Sequence, residues 1–294
     1  MLNDQFVYAE DGTRIAYGVA GSGPALVLTN GLTTSNTFWD YVLPVWLQRH
    51  TVITWDLPGH GQSGPALSDA TARIEAQPKL LARVMDAVGV QRAAQIGWST
   101  GSQVVLETYR QFPERCVSLA MLFGAAGRVL STTQLPLAGP VIARLARSMP
   151  PAAFELSCRL LSRAMRAPGS IALGRRLWLI GEHARPDDMQ RVIEHIGSVD
   201  PRTLRVMLLS AEEHSAHAVL SQLAVPLLIL SGDRDPFAPS ELVGVPLHRA
   251  APGSQLLRLP NGTHTALLEE PQLIADTVEE FVTRSYAALA SAGA

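Results

Sequence analysis

Three side chains able to cooperate in nucleophilic chemistry stand in order along the chain. Ser99 lies in Gly97-Trp98-Ser99-Thr100-Gly101, Asp233 and Asp235 in LLILSGDRDPFAP, and His264 in LPNGTHTALLEEP. A serine hydroxyl is a poor nucleophile near neutral pH; it needs a base within hydrogen-bond reach, itself oriented by a carboxylate. The chemistry such a set would perform is acyl transfer, with the histidine taking the serine proton during attack on a carbonyl carbon. The pentapeptide matches G-x-S-x-G, a sharp turn that exposes a serine at the end of a strand, where flanking glycines remove Cβ atoms that would collide. A serine before a helix can also be a simple N-cap. The motif therefore carries weight only if a strand precedes it and a helix follows.

Both patterns are present. AAQIGW reads as a buried strand, and residues 100–112 read as a helix that stops before Pro113. The same alternation runs through most of the chain. FVYAEDGTRIAYGV suggests a hairpin turning at the pair Asp11-Gly12, because both positions tolerate positive φ. ALVLTNG, TVITWD and CVSLAMLF are apolar runs too continuous for a sheet with one wet face, which suggests parallel strands covered on both sides. Residues 39–47 look amphipathic and residues 78–88 look helical. From Gly127 to about Ala218 the strands vanish, and helical patterns are punctuated by Pro136, Pro140, Pro150, Pro151, Pro168, Pro186 and Pro201. Strand and helix then alternate again through PLLILS, residues 240–249, SQLLRL and an amphipathic helix from Pro271 with Ile274, Val278, Phe281 and Val282 on one side. The reading is a core domain over 1–126 and 219–294, interrupted by a helical cap over 127–218. The small-residue tail AALASAGA is expected to fray.

Bulk composition narrows the classes. The 294 residues are 47% hydrophobic and 17% charged, which fits a globular chain and not a disordered one. A net charge of -2 gives no overall electrostatic case for nucleic acid. Lys79 is the single lysine beside many arginines, which reads as compositional bias. Cys116 and Cys158 make no disulfide framework and fit a reducing compartment. The first residues lack the apolar stretch of a secretory signal, and AVPLLIL is far too short to span a bilayer, which takes about 20 residues. A cytoplasmic location without stable membrane insertion is expected.

With four motifs in order, the chain resembles the α/β-hydrolase fold superfamily over essentially its full length. The resemblance implies a doubly wound, mostly parallel eight-stranded sheet with helices on both faces and a helical cap insertion. In that family the acid commonly lies three residues after a glycine and four before a proline, which selects Asp235 between Gly232 and Pro239. The family's histidine is often followed by glutamate and proline, here Glu269 and Pro271 after His264, and DLPGHGQS is like its D-x-x-G-x-G-x-S turn. Catalytic roles are thereby implied for Ser99, Asp235 and His264, and an oxyanion hole for the backbone N–H groups of Leu32 and Thr100. Where the family usually has His-Gly, this sequence has Asn30-Gly31, a change expected to alter how that loop is pinned, and Thr263 stands where a glycine often precedes the histidine. A serine at the elbow sets the chain apart from relatives that use aspartate there, and Thr33 in place of a proline agrees.

The implied function is cleavage of a carboxylic ester or lactone on a small acyl substrate, with no cofactor and no metal. Thioester or carbon-carbon bond hydrolysis, cofactor-free perhydrolysis and ligand binding without turnover are the other readings of the same fold. Asp56 is expected to tie down its turn through backbone N–H groups, and Asp233 to do similar local work. His183, His195, His214 and His217 are read as solvated histidines, since their spacing matches no metal motif. His60 is read as a loop residue. Asn30 and Trp98 are candidates to line the substrate pocket, the latter equally a core residue. Between Arg128 and Arg176 the only acid is Glu155. A solvated face explains those arginines most simply, while the sharper reading is a basic lid drawn to acidic substrates, an anionic membrane surface or an acyl carrier protein.

Overall fold

A computed structural model describes residues 3–133 and 138–292; Pro136 lies outside them. Eight strands form one sheet: β1 Gln5–Tyr8, β2 Arg14–Gly21, β3 Ala25–Thr29, β4 Thr51–Trp55, β5 Ala93–Trp98, β6 Cys116–Leu122, β7 Leu227–Gly232 and β8 Gln255–Leu259. Their order is β1-β2-β4-β3-β5-β6-β7-β8. β1 and β2 pair antiparallel, as do β2 and β4, and every other pairing is parallel. β5, β6 and β7 are buried along their whole length, which accounts for their unbroken apolar sequences.

Alternation along the strands sends side chains to two separate layers. Leu26, Leu28, Ile96 and Leu230 join a cluster with Ile274, Val278, Phe281 and Val282 of the helix Pro271–Ala292. Val27 and Ile53 point the other way, toward Leu81, Val84 and Met85 of the helix Gln77–Ala87. The sheet is doubly wound, and its order reverses beside β3: β4 follows on one side and β5 on the other. Loops leaving neighbouring strands in opposite directions open a crevice at their carboxyl ends. The loops after β3 and β5 carry Asn30-Gly31-Leu32 and Ser99.

Two expectations are corrected. The β1–β2 connection is not a two-residue turn; Tyr8 pairs with Arg14, Ala9 N–H donates to Thr13 O at 2.9 Å, and of the Asp11-Gly12 pair only Gly12 has positive φ. The loop spans five residues because Asp11 instead accepts hydrogen bonds from Thr13, Ser68 and Thr71, tying the hairpin to a later segment. The tail does not fray where it is described: the last helix continues to Ala292.

Within residues 127–218 the described elements include the helices Ala138–Ser148, Pro151–Met165, Ser170–Arg176, Pro186–Ile196 and Pro201–Glu213. Pro151, Pro186 and Pro201 open their helices, where a missing N–H costs nothing and the fixed φ suits the first turn. The two ends of the segment meet: Gly127 bridges Ser215, Arg128 N–H donates to His214 O, and Ala216 N–H donates to Ala126 O. Met207 and Ala211 of the last of these helices pack into the same cluster as Ile15 and Val104.

Candidate active site

Ser99 sits at the turn between β5 and the helix Gly101–Gln111 with φ 55°, a left-handed conformation unusual for a residue with a Cβ. Its N–H donates to Leu122 O at 2.8 Å, which fixes the turn against β6. The flanking glycines are required by close approach. A Cβ on Gly97 would lie 2.3 Å from Gly101 O, and one on Gly101 would lie 2.3 Å from Thr29 O. Strand, helix and neighbouring strand are therefore packed backbone to backbone around one strained serine.

His264 follows β8, and its ring is half enclosed by Trp98 at 4.7 Å and Phe237 at 4.8 Å between centroids. Its Nε2 lies 3.0 Å from Ser99 Oγ, and its Nδ1 lies 2.8 Å from Asp235 Oδ2. The carboxylate requires a donor at Nδ1, so Nε2 is left to accept the serine proton. Asp235 is fully buried after β7, and its other oxygen accepts the N–H groups of Phe237 at 2.8 Å and Ala238 at 3.1 Å. Asp233 points elsewhere, accepting from Arg258 Nε at 3.1 Å and Nη2 at 2.9 Å. Thr263 has a local use: its hydroxyl and that of Thr265 both donate to Glu269 Oε1 at 2.8 Å, closing the histidine loop.

Among the described residues, no hydrogen bond engages the N–H of Leu32 or of Thr100. The loop carrying Leu32 is held from two sides, by Asn30 and by His60. Asn30, expected at the pocket, is buried with its amide turned away into the loop; Oδ1 accepts from Trp39 Nε1 at 2.7 Å and Nδ2 donates to Asn36 Oδ1 at 3.2 Å. His60 is more than a loop residue. Its Nε2 accepts the N–H of Thr33 at 3.0 Å while its Nδ1 faces Pro58 O at 2.9 Å, a pairing that demands the neutral Nδ1–H tautomer. Thr33 itself has φ 59°. Burial pushes the His60 imidazole down to about 4, so it stays neutral and able to accept. From the other side, the ring of His195, on the helix Pro186–Ile196, lies 6.2 Å from that of His60. Burial lowers its affinity for a proton as well.

Asp56 ties down its turn as expected, accepting Gln62 N–H at 2.9 Å, and burial pushes its carboxyl up to about 6. Trp98 is buried and stacks on Phe38 with centroids 4.1 Å apart, so it is both core and the wall behind the imidazole. The reading of His214 as solvated is overturned. It is buried, and Nε2 lies 2.9 Å from Oε2 of the fully buried Glu107, on the helix that begins at the elbow. Burial pushes the Glu107 carboxyl up, but hydrogen bonds from His214, Arg110 and Gln111 outweigh it and hold the group below its usual range. The sequence hides this pair because its members are 107 residues apart. A cleft of about 830 Å³ borders the histidine loop, lined by Arg175, Trp178, Arg234, Asn261, Thr263 and Glu269 among others; Ser99 does not line it.

The sequence profile described as alpha/beta hydrolase fold matches residues 24–271. The chain is 28% identical over 270 residues to the pimeloyl-[acyl-carrier protein] methyl ester esterase of Methylococcus capsulatus, covering 90% of this chain and 97% of that one. Among solved structures, the enol-lactonase of Burkholderia xenovorans LB400 superposes with a TM-score of 0.75 at 20% identity, covering 95% of this chain and 100% of the other. An esterase from Exiguobacterium antarcticum gives a TM-score of 0.76 at 17% identity, covering 95% and 99%. At such identities the two structures speak for the fold alone. By the profile match across most of its length, the chain belongs to the alpha/beta hydrolase fold family.

Proposed function

We propose that the protein is a serine hydrolase that cleaves a carboxylic ester or lactone through an acyl-enzyme on Ser99. The observation that carries this reading is the unbroken relay from Asp235 through His264 to Ser99, at 2.8 and 3.0 Å. As Ser99 Oγ attacks the carbonyl carbon, its proton passes to His264 Nε2, and Asp235 stabilises the imidazolium that forms. The carbonyl oxygen, now negative, is received by the N–H groups of Leu32 and Thr100. The tetrahedral intermediate expels the alcohol oxygen, which takes the proton from Nε2 and leaves the acyl group on serine. Water then gives a proton to the same nitrogen as it attacks the acyl carbon, and the second tetrahedral intermediate expels Ser99 Oγ, which takes that proton back from Nε2 as the carboxylic acid leaves. No cofactor enters any step.

Residues 127–218 are proposed as a lid. The approach of the His195 ring to within 6.2 Å of His60, which holds the Thr33 N–H, supports a link between that lid and the oxyanion loop. The substrate is proposed to be a small acyl ester. The relative named for a carrier-bound methyl ester supports an acyl carrier protein as a second source of acyl groups. Unpaired Cys116 and Cys158 support a reducing, cytoplasmic setting.

Turnover of p-nitrophenyl esters of graded chain length tests the reading. Release of p-nitrophenol by wild type, abolished in Ser99→Ala and slower with matched thioesters, is expected. Wild-type rates in Ser99→Ala would remove the acyl-enzyme from consideration.

A further inference from the structure

Helices on a protein surface ordinarily turn their large aliphatic side chains inward. The helices Ala138–Ser148 and Pro151–Met165 do the opposite. Toward the rest of the protein they bury Ala143, Ala146 and Ser162 together with Phe154, while Val141, Ile142, Leu145, Leu156, Leu160 and Leu161 are each 46–60% exposed. Both helices rest on Pro201–Glu213. Arg205 of that helix donates to the carbonyls of Ala146 and Arg147 at 2.8 and 2.9 Å, and its guanidinium lies 5.9 Å from the centre of the Phe154 ring. Arg205 thus joins the two helices on their inner side. The next helix, Ser170–Arg176, continues the pattern with exposed Leu173, and Leu177 just after it is exposed as well.

Charge on this segment is almost all of one sign. Residues 128–176 hold eight arginines and a single acid, Glu155, in a chain whose net charge is -2. Among the described residues, no ion pair engages Arg144 or Arg163. An exposed aliphatic face interleaved with arginines is the composition that seats a helix in the boundary between lipid headgroups and acyl chains. A second copy of this chain is a poor occupant, because a two-fold contact would set the arginines of one copy against those of the other. An acidic carrier protein would satisfy the arginines and leave the leucines against a polar surface.

We propose that the outer face of these two helices docks reversibly on an anionic lipid bilayer, with arginines at the phosphates and the leucines below them. Docking is peripheral: among the described residues, no helix is long and apolar enough to cross a membrane. The inference is independent of the hydrolytic reading, since it concerns binding and not turnover.

The experiment is co-sedimentation of the full chain with vesicles of phosphatidylcholine alone or mixed equally with phosphatidylglycerol, at low and high salt. Wild type is expected to sediment with the anionic vesicles at low salt and to be released by salt. Replacement of Leu156, Leu160 and Leu161 by glutamine, and separately Arg144→Glu with Arg163→Glu, should each weaken binding by about tenfold or more. These side chains point to solvent, and circular dichroism of each variant verifies the fold; salt release of wild type reads the electrostatic part without any variant. Wild type remaining in the supernatant with anionic vesicles overturns the proposal. So does sedimentation of the leucine variant equal to wild type. A wild-type dimer that the leucine variant dissolves would identify a second copy as the occupant, and capture of an acidic carrier protein without vesicle binding would identify that class instead.

Discussion

Asp235 presents Oδ2 to His264 Nδ1 at 2.8 Å, while Asp233, two residues earlier, gives its carboxylate to Arg258. The two aspartates therefore separate in mutational effect. Asp235→Asn should lower kcat/KM by on the order of 10³- to 10⁴-fold, because an amide cannot stabilise the imidazolium. Asp233→Asn should keep most activity, since its partner is a half-exposed arginine. Steady-state kinetics on one ester decides it; the reverse ranking would reassign the acid.

His60 holds the N–H of Thr33, one residue beyond Leu32. Removing the imidazole in His60→Ala should lower kcat by about 10- to 100-fold with little change in KM, as expected for a misplaced oxyanion donor. Its titration gives a second readout. The ordinary value is 6.5 and the folded value about 4, so between these the unfolded chain binds the extra proton and stability falls as pH falls. The loss is complete near pH 4 and amounts to roughly 3 kcal/mol at most. Asp56, pushed up to about 6, works in the opposite sense between its ordinary 3.8 and 6, where the folded chain holds the extra proton. Comparison of wild type with His60→Ala by urea unfolding at pH 7 and pH 4.5 isolates the histidine: the variant should lose less on acidification.

The order of Ser99, Asp235 and His264 and the strands beneath them were legible because each depends on neighbours in the chain. Gly97 and Gly101 flank the serine at fixed offsets, and the run AAQIGW is buried for its full length. Asp235 was distinguished from Asp233 by resemblance, since its distances from Gly232 and Pro239 match the family's pattern for the acid. Hidden were the contacts that join distant segments. Nothing near His60 names Thr33 as its partner, and nothing near His214 names Glu107. Asn30 looked like a pocket residue because it precedes Gly31 and Leu32 beside the elbow, whereas its amide belongs to Trp39 and Asn36.

The elbow tolerates no added methyl. Gly97→Ala would place a Cβ 2.3 Å from a backbone oxygen that belongs to the helix itself and has no flexible side chain to move. A loss of about 3 kcal/mol is expected from overpacking, measured as a fall in the urea midpoint at constant m-value. An unchanged midpoint would mean that strand and helix are farther apart at this turn.

Glu107 and His214 link the elbow helix to the end of the helical segment 127–218 through a pair removed from water. His214→Ala leaves the carboxylate with Arg110 and Gln111 only and should destabilise by about 3 kcal/mol. The double variant with Glu107→Gln should recover part of that loss, because the unpaired charge is gone. Thermal unfolding of the three variants measures the coupling; strict additivity would show that the two groups do not interact.

An activated serine is tested most directly by intact-mass measurement after reaction with a fluorophosphonate probe, followed by peptide mapping. The expected result is a single adduct on Ser99 in wild type, none in Ser99→Ala, and much slower labelling in His264→Ala. Folded wild type that stays unlabelled, or Ser99→Ala that labels as wild type does, would contradict the assignment of Ser99 as the nucleophile.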